Sequence, residues 1–327
     1  MNALAAAVAK VDIDHYVRQP DGRPIPQSSA PAIIEALIHL ADIQPGHRIL
    51  EIGTGSGYST ALLATIVGES GAVTSVEVNP VVAARAKGKL AKTTNAAVVH
   101  GDGGDGAFET APFHRVIAWT TPRLLPKNWV QQTVDGGRIV TAVKVARVAA
   151  ANLAVAVDIS GHEPIAGAFH DGSFVDMAPP PADFRFPYYY LDAHALIDDQ
   201  PVWLSAPAVR NNPSASEALL AELIEAEPQP SPIQEYNWSD LMGYLAATAP
   251  DNLATVQLQQ GRGIGYITND SAAVLLKHTL KTGRDSTSRQ RLEQQTAEWK
   301  SHGRPALDTL FPRFEAVAEG WTVKPTR

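Results

Sequence analysis

The chain has 327 residues, 45% hydrophobic and 19% charged, which is enough apolar material for one large or two modest cores. It has no cysteine, which excludes a disulfide framework, a thiolate metal site and a cysteine nucleophile. Its net charge of −7 gives no general affinity for nucleic-acid phosphates or anionic membranes. No apolar stretch is long enough to span a membrane, and the alanine-rich start lacks a basic region before an apolar run. The expectation is a soluble cytoplasmic protein with no nucleic-acid or membrane partner.

Residues 1–29 read as an irregular N-terminal segment, punctuated by Pro20, Gly22, Pro24 and Pro26. From Ala30 the pattern changes. Ile33, Ile34, Leu37, Ile38 and Leu40 recur at helical spacing behind Pro31, which suits a first helical turn. A short apolar strand at 47–52, a glycine-rich turn at 53–57 and a helix at 59–67 follow. The scheme repeats with strand 72–78, helix 80–90, strands 96–99 and 115–119, helix 126–134, a Gly136-Gly137 turn and strand 138–143. Such alternation predicts an α/β fold with a doubly wound parallel sheet. Strands at 152–159, 163–169 and 173–177 are expected to add antiparallel edges to that sheet. Prolines 179–181 mark a boundary.

Beyond it the pattern predicts a smaller mixed α+β domain. Helices are expected at 214–226, 238–247, 269–281 and 285–299, and strands at 254–258 and 263–268. Charge is segregated here. No Lys or Arg occurs from 211 to 261, where seven acidic residues lie, and seven Lys or Arg occur from 277 to 304. The basic run reads as a solvated helix face, a partner of the acidic stretch, or a surface for an acidic peptide. Tyr188, Tyr189 and Tyr190 read equally as a peptide grip or as packing. The domain expectation is an N-terminal segment at 1–29, a cofactor-binding domain at 30–180 and a substrate-recognition domain at 181–327.

The run Glu51-Ile52-Gly53-Thr54-Gly55-Ser56-Gly57 follows a strand and precedes a helix. Glycines there let backbone approach a ligand and leave helix N–H groups free. A dinucleotide pyrophosphate or S-adenosyl-L-methionine could use such a turn. Glu51 favours the second, because a carboxylate repels pyrophosphate and attracts an ammonium or sulfonium. Glu77, ending the second strand, is placed to accept ribose hydroxyls, and Asp102, after the third, to accept an adenine amino group. The candidate cofactor-binding set is Glu51, Gly53, Thr54, Gly55, Gly57, Tyr58, Glu77, Val78, Asp102, Gly103 and Thr120. His15, His39, His100 and His114, and the pair His162 and His170, lack ligand spacing, so no metal is expected.

These stretches resemble the protein-L-isoaspartate (D-aspartate) O-methyltransferases. The resemblance rests on Gln27-Ser28-Ser29-Ala30-Pro31, on Glu51 to Tyr58, and on Gly101-Asp102-Gly103 followed by Ala111-Pro112-Phe113. It extends to Pro126, Gln131-Gln132, Gly136-Gly137-Arg138 and, more weakly, Ser173 to Met177. It implies a Rossmann-like class I methyltransferase fold, S-adenosyl-L-methionine as cofactor and a carboxylate acceptor. Departures are Gln27-Ser28-Ser29 where the family reads Thr-Ile-Ser, and Trp119-Thr120-Thr121-Pro122 closing the fourth strand. The family's repair enzymes end near Met177, whereas this chain continues.

The extension, with Trp299, Gly303, Arg304 and Pro305, looks like the branch associated with ribosomally made peptides beside ATP-grasp or lanthipeptide systems. That branch implies esterification of an aspartate in a cross-linked precursor peptide, the ester closing to aspartimide. Ser29 aligns with the family's acceptor-side serine and is the candidate catalytic residue that holds one carboxylate oxygen, with Ser28 as runner-up. Either could instead cap the helix at Pro31. The alternatives are repair of L-isoaspartyl residues, methylation of a small molecule, and a non-catalytic cofactor-binding subunit.

Overall fold

The computed structural model describes residues 3–19, 21–23, 25, 30–177, 185–186 and 188–327. The chain divides into two compact units. The first contains Met1–Val143, Ala154–Ala168 and Ala316–Thr322; the second contains Lys144–Leu153, Phe169–Glu315 and Val323–Arg327.

In the first unit, helices α1 (Ala3–Lys10), α2 (Ile13–Val17) and α3 (Pro31–Leu40) precede the alternating part. That part runs β1 (Arg48–Ile52), α4 (Tyr58–Val67), β2 (Ala72–Glu77), α5 (Pro80–Lys89), β3 (Ala96–His100) and β4 (Phe113–Ala118). It continues through β5 (Leu125–Pro126), α6 (Lys127–Gln131), β6 (Thr133–Lys144), β7 (Asn152–Ser160) and β8 (Glu163–His170). The sheet order is β3-β2-β1-β4-β6-β7-β8. The pairs β2/β3, β1/β2, β1/β4 and β4/β6 are parallel. Ile49 to Ile52 are buried without interruption, as a parallel strand covered on both faces requires. Asn79 caps α5 by accepting from Val81 N and Val82 N, and Pro80 occupies the first turn.

The second unit is sheet-rich. Its elements are β9 (Ala193–Ile197), β10 (Gln200–Ser205), α7 (Pro213–Glu225), β11 (Gln229–Pro230), α8 (Trp238–Thr248) and β12 (Leu253–Leu258). Then come β13 (Gly261–Ile267), β14 (Ser271–Leu275), β15 (Thr279–Arg284) and α9 (Thr287–Ser301). The order is β11-β15-β14-β13-β12-β10-β9, with the neighbours antiparallel. Leu204, Val256, Val274 and Leu276 pack with Leu219, Leu220 and Leu223 of α7 into its core. The chain ends in β16 (Phe311–Val317) and β17 (Gly320–Thr326).

Four expectations need correction. Residues 1–29 are not irregular throughout: they hold α1, favoured by five alanines among eight residues, and α2, capped by Asp12, while the described residues from Arg18 to Ile25 are non-helical. Residues 173–177 form no strand, and Asp176 within them makes a buried ion pair with Lys144. Residues 269–281 are not a helix but contribute β14 and part of β15. Ala272 to Leu276 are all buried, as a central strand covered on both faces allows, and Lys277-His278 form the turn. The helix expected at 126–134 is the short α6, since β6 starts at Thr133 and runs through Gly136-Gly137. The 254–268 hairpin is present as β12 and β13. Arg284 pairs with Glu222 at 3.1 Å, so the basic stretch meets the acidic one within this unit.

Candidate active site

The carboxyl ends of β1, β2, β3 and β4 are tied together by backbone hydrogen bonds. Gly53 N donates to Val76 O, Gly101 N to Glu77 O and Trp119 N to Ile52 O. Gly53, Gly55 and Gly57 have φ of 88°, 54° and 86°, left-handed values that explain the repeated glycine. Gly57 caps α4, whose first residue, Tyr58, is buried. Thr54 Oγ1 and Ser75 Oγ lie 2.6 Å apart beneath the loop.

Glu77 couples the loop to β2. Its Oε2 accepts from Gly55 N at 3.0 Å and its Oε1 from Asn79 N at 3.0 Å. Val78 beside it is 50% exposed, so an apolar surface lines the lip of the turn. Asp102 is exposed, and its Oδ1 accepts from Gly104 N at 2.8 Å, which shapes the turn after β3. Gly103 is buried, and its carbonyl accepts from Trp129 Nε1 at 2.7 Å. Thr120 Oγ1 is buried and finds no hydrogen-bond partner among the described residues. A buried hydroxyl without a partner is unfavourable unless a ligand supplies one.

Glu51 is fully buried. Ser59 Oγ and Thr60 Oγ1 donate to its two oxygens at 2.5 Å, and Trp119 Nε1 donates to Oε1 at 2.9 Å. Burial pushes its carboxyl up, and these donors pull it back. Sequence reasoning found Glu51 but missed the donors. The available signal was the pair of hydroxyls at 59 and 60 in the first turn of a largely apolar helix. Ser28 and Ser29 lie outside the described residues. Among the described residues, no group of three or more His, Cys, Asp or Glu could hold a metal ion, and no helix is long and apolar enough to cross a membrane.

A parallel sheet with a glycine loop after its central strand and acids after the next two defines the Rossmann-like methyltransferase fold, here with an additional sheet-rich unit. Residues 8–158 match the family model of protein-L-isoaspartate(D-aspartate) O-methyltransferase. That family comprises S-adenosylmethionine-dependent protein carboxyl O-methyltransferases. The protein-L-isoaspartate O-methyltransferase of Aeropyrum pernix is 39% identical over 132 residues, covering 38% of this chain and 50% of the relative. That of Anaeromyxobacter dehalogenans is 41% identical over 118 residues, covering 35% and 55%. The chain thus spans about half the length of the curated relatives it matches.

A solved structure described as protein-L-isoaspartate O-methyltransferase aligns over 99% of this chain and 95% of its own, with a TM-score of 0.53 and 17% identity. The expectation that repair enzymes of this family stop near Met177 is therefore too narrow: a chain bearing that description shares the fold well beyond this point.

Proposed function

We propose that the chain transfers the methyl group of S-adenosyl-L-methionine to a side-chain carboxylate of a peptide or protein, with an L-isoaspartyl residue as the acceptor. The observation that carries this reading is Glu77 locked onto the glycine loop at Gly55, inside the segment that matches the family. The cradle suits the cofactor. Loop glycines leave room for it, Thr120 Oγ1 awaits a partner, and Val78 offers an apolar face to adenine. Glu77 retains lone pairs for the ribose hydroxyls, and Asp102 for the adenine amino group.

When bound, the cofactor supplies an activated methyl group on a sulfonium. The acceptor carboxylate is ionised at neutral pH and needs no base, and the departing thioether needs no acid. The chain's task is to position the acceptor and keep water out. Glu51, held by Ser59, Thr60 and Trp119, braces the end of β1 against the start of α4 and the end of β4, where the glycine loop begins. Ser29, with Ser28 as runner-up, would hold one acceptor oxygen.

The finer reading is an aspartate in a cross-linked precursor peptide, selected by residues 181–327 and closing to aspartimide after esterification. Its support is the resemblance around Trp299 and Arg304. The second unit by itself does not favour it, because the solved chain above shares that architecture.

The test is intact-mass analysis of an isoaspartyl peptide, its aspartyl counterpart and a cyclised acidic peptide after incubation with enzyme and S-adenosyl-L-methionine. Methylation of the isoaspartyl peptide alone is expected. Methylation confined to the cyclised peptide would favour the finer reading, and cofactor binding without transfer to any carboxylate would leave a non-catalytic subunit.

A further inference from the structure

Antiparallel register in the second unit brings His194, Trp203, Gln257 and Arg262 into one row across β9, β10, β12 and β13. Residues in such a row share a face of the sheet. On that face the Tyr188 ring lies 5.3 Å from Trp203, and Phe186 lies 4.4 Å from His194. Ala149 and Ala150 complete the apolar packing against Trp203.

At the Arg262 end the character changes. Arg262 Nη2 donates to the Tyr188 hydroxyl at 3.3 Å. Among the described residues its buried Nε has no hydrogen-bond partner and no carboxylate pairs with the guanidinium. Lys144 is already committed. Its Nζ sits 2.8 Å from Asp176 Oδ1, with both side chains nearly inaccessible, and 5.7 Å from the Tyr189 ring centroid. Tyr189 N also donates to Asp176. Burial foremost, and the Arg262 charge in addition, hold Lys144 below its ordinary value against the opposing pull of Asp176. Asp176 is thus taken up by Lys144, and Arg262, whose charge is felt at Lys144, keeps a shielded N–H without a partner among the described residues.

Leaving a guanidinium N–H buried and unpaired is unfavourable, and the planar edge of Arg matches a carboxylate through two parallel hydrogen bonds. We propose that Arg262, flanked by Tyr188, binds a carboxylate of an acidic peptide. This deepens the reading of the second unit as the part that selects the peptide, and rests on it.

The experiment uses the full chain with S-adenosylhomocysteine present and fluorescence anisotropy of labelled, C-terminally amidated octapeptides carrying a central Asp or Asn. A third probe, the Asn peptide with a free C-terminus, separates a side-chain from a terminal carboxylate. The carboxylate peptides should bind more tightly than the amidated Asn peptide. Arg262→Gln should weaken them about tenfold or more, leaving the amidated Asn peptide unchanged. Arg262→Lys should recover part of the loss, since it restores charge without the fork. Tyr188→Phe, which removes one hydroxyl, should weaken binding less and guards against misfolding of the Arg262 variants. The inference is overturned if Arg262→Gln binds every peptide as the unaltered chain does, or if inorganic phosphate binds at Arg262 while no peptide carboxylate is distinguished from Asn. Because the readout is binding, Arg262-dependent discrimination without methyl transfer would reject the proposed activity and not this site.

Discussion

Glu77 spends one oxygen on Gly55 N and the other on Asn79 N, so it both shapes the glycine loop and faces the proposed ligand. Asp102 holds only the Gly104 turn by its side chain. Glu77→Ala should therefore weaken S-adenosylhomocysteine more than Asp102→Ala, each by about 1.5–3 kcal/mol for a lost charge-assisted hydrogen bond. Calorimetric titration checks this, and unchanged affinity in both variants would remove the crevice assignment. A second residue-scale prediction concerns acid. His47 and His114 stack with centroids 4.9 Å apart, and their Nδ1 atoms accept from Gln44 N and Arg48 N at 3.1 and 3.0 Å. The bond from Gln44 N favours the neutral form of the His47 ring. Burial first, then the charges of Arg115 and His114, hold His47 below its ordinary value, with Asp42 opposing. A depressed folded-state value means that the unfolded chain binds the proton more readily. The stability linked to His47 is thus complete above about pH 6.5 and is lost as pH falls below it. Thermal midpoints from pH 7.5 to 5 should fall less steeply in His47→Gln than in the unaltered chain, and parallel curves would exclude His47. The glycine loop and both acids were legible in sequence because their chemistry is local. The donors around Glu51 were not, since Trp119 lies 68 residues away and only the β1/β4 pairing joins them.

At the scale of elements, the alternating part was readable because β1 to β4 are short, largely apolar runs and helices such as α5 have their own start signal, Asn79-Pro80, whereas the long β6 hid the end of α6. The second unit was harder. The apolar run from Ala272 to Leu276 has no period that separates a buried strand from a buried helix, and long-range pairing with β13 and β15 decides it. The same pairing explains Gly265. A Cβ there would lie 1.9 Å from Ala273 O, a backbone atom of the adjacent strand that cannot swing aside. Gly265→Ala should therefore force β13 from β14 and destabilise the second unit by about 3 kcal/mol or more, at the upper end of overpacking effects. Urea unfolding followed by far-ultraviolet circular dichroism measures it. A midpoint shift equivalent to less than about 1 kcal/mol would mean that the β13/β14 spacing is looser than this register implies.

At the scale of the whole molecule, the chain returns to its first unit at the end, through Ala316–Thr322. Gly320 and Trp321 of β17 pair with Pro126 and Leu125 of β5, and Lys127 N donates to Glu319 O at 3.1 Å. Leu125 is fully buried and Trp321 nearly so. β5 leads directly into α6, whose Trp129 reaches Gly103 O next to Asp102. A residue near the C-terminus is thereby connected, through three short steps, to the turn proposed to hold adenine. The exposed Arg123–Glu319 pair, at 3.7 Å, adds little. Trp321→Ala should destabilise the first unit by about 3 kcal/mol, as large-to-small changes at buried aromatics do. It should also weaken S-adenosylhomocysteine, because α6 and the Asp102 turn lose a fixed support. Scanning calorimetry with and without S-adenosylhomocysteine assigns the shifted transition, since only the unit that binds the ligand is stabilised by it. If the ligand-sensitive transition keeps its midpoint and the affinity is unaltered, β17 is a passive appendage. In that case a chain ending before residue 316 should bind the cofactor as well as the full one.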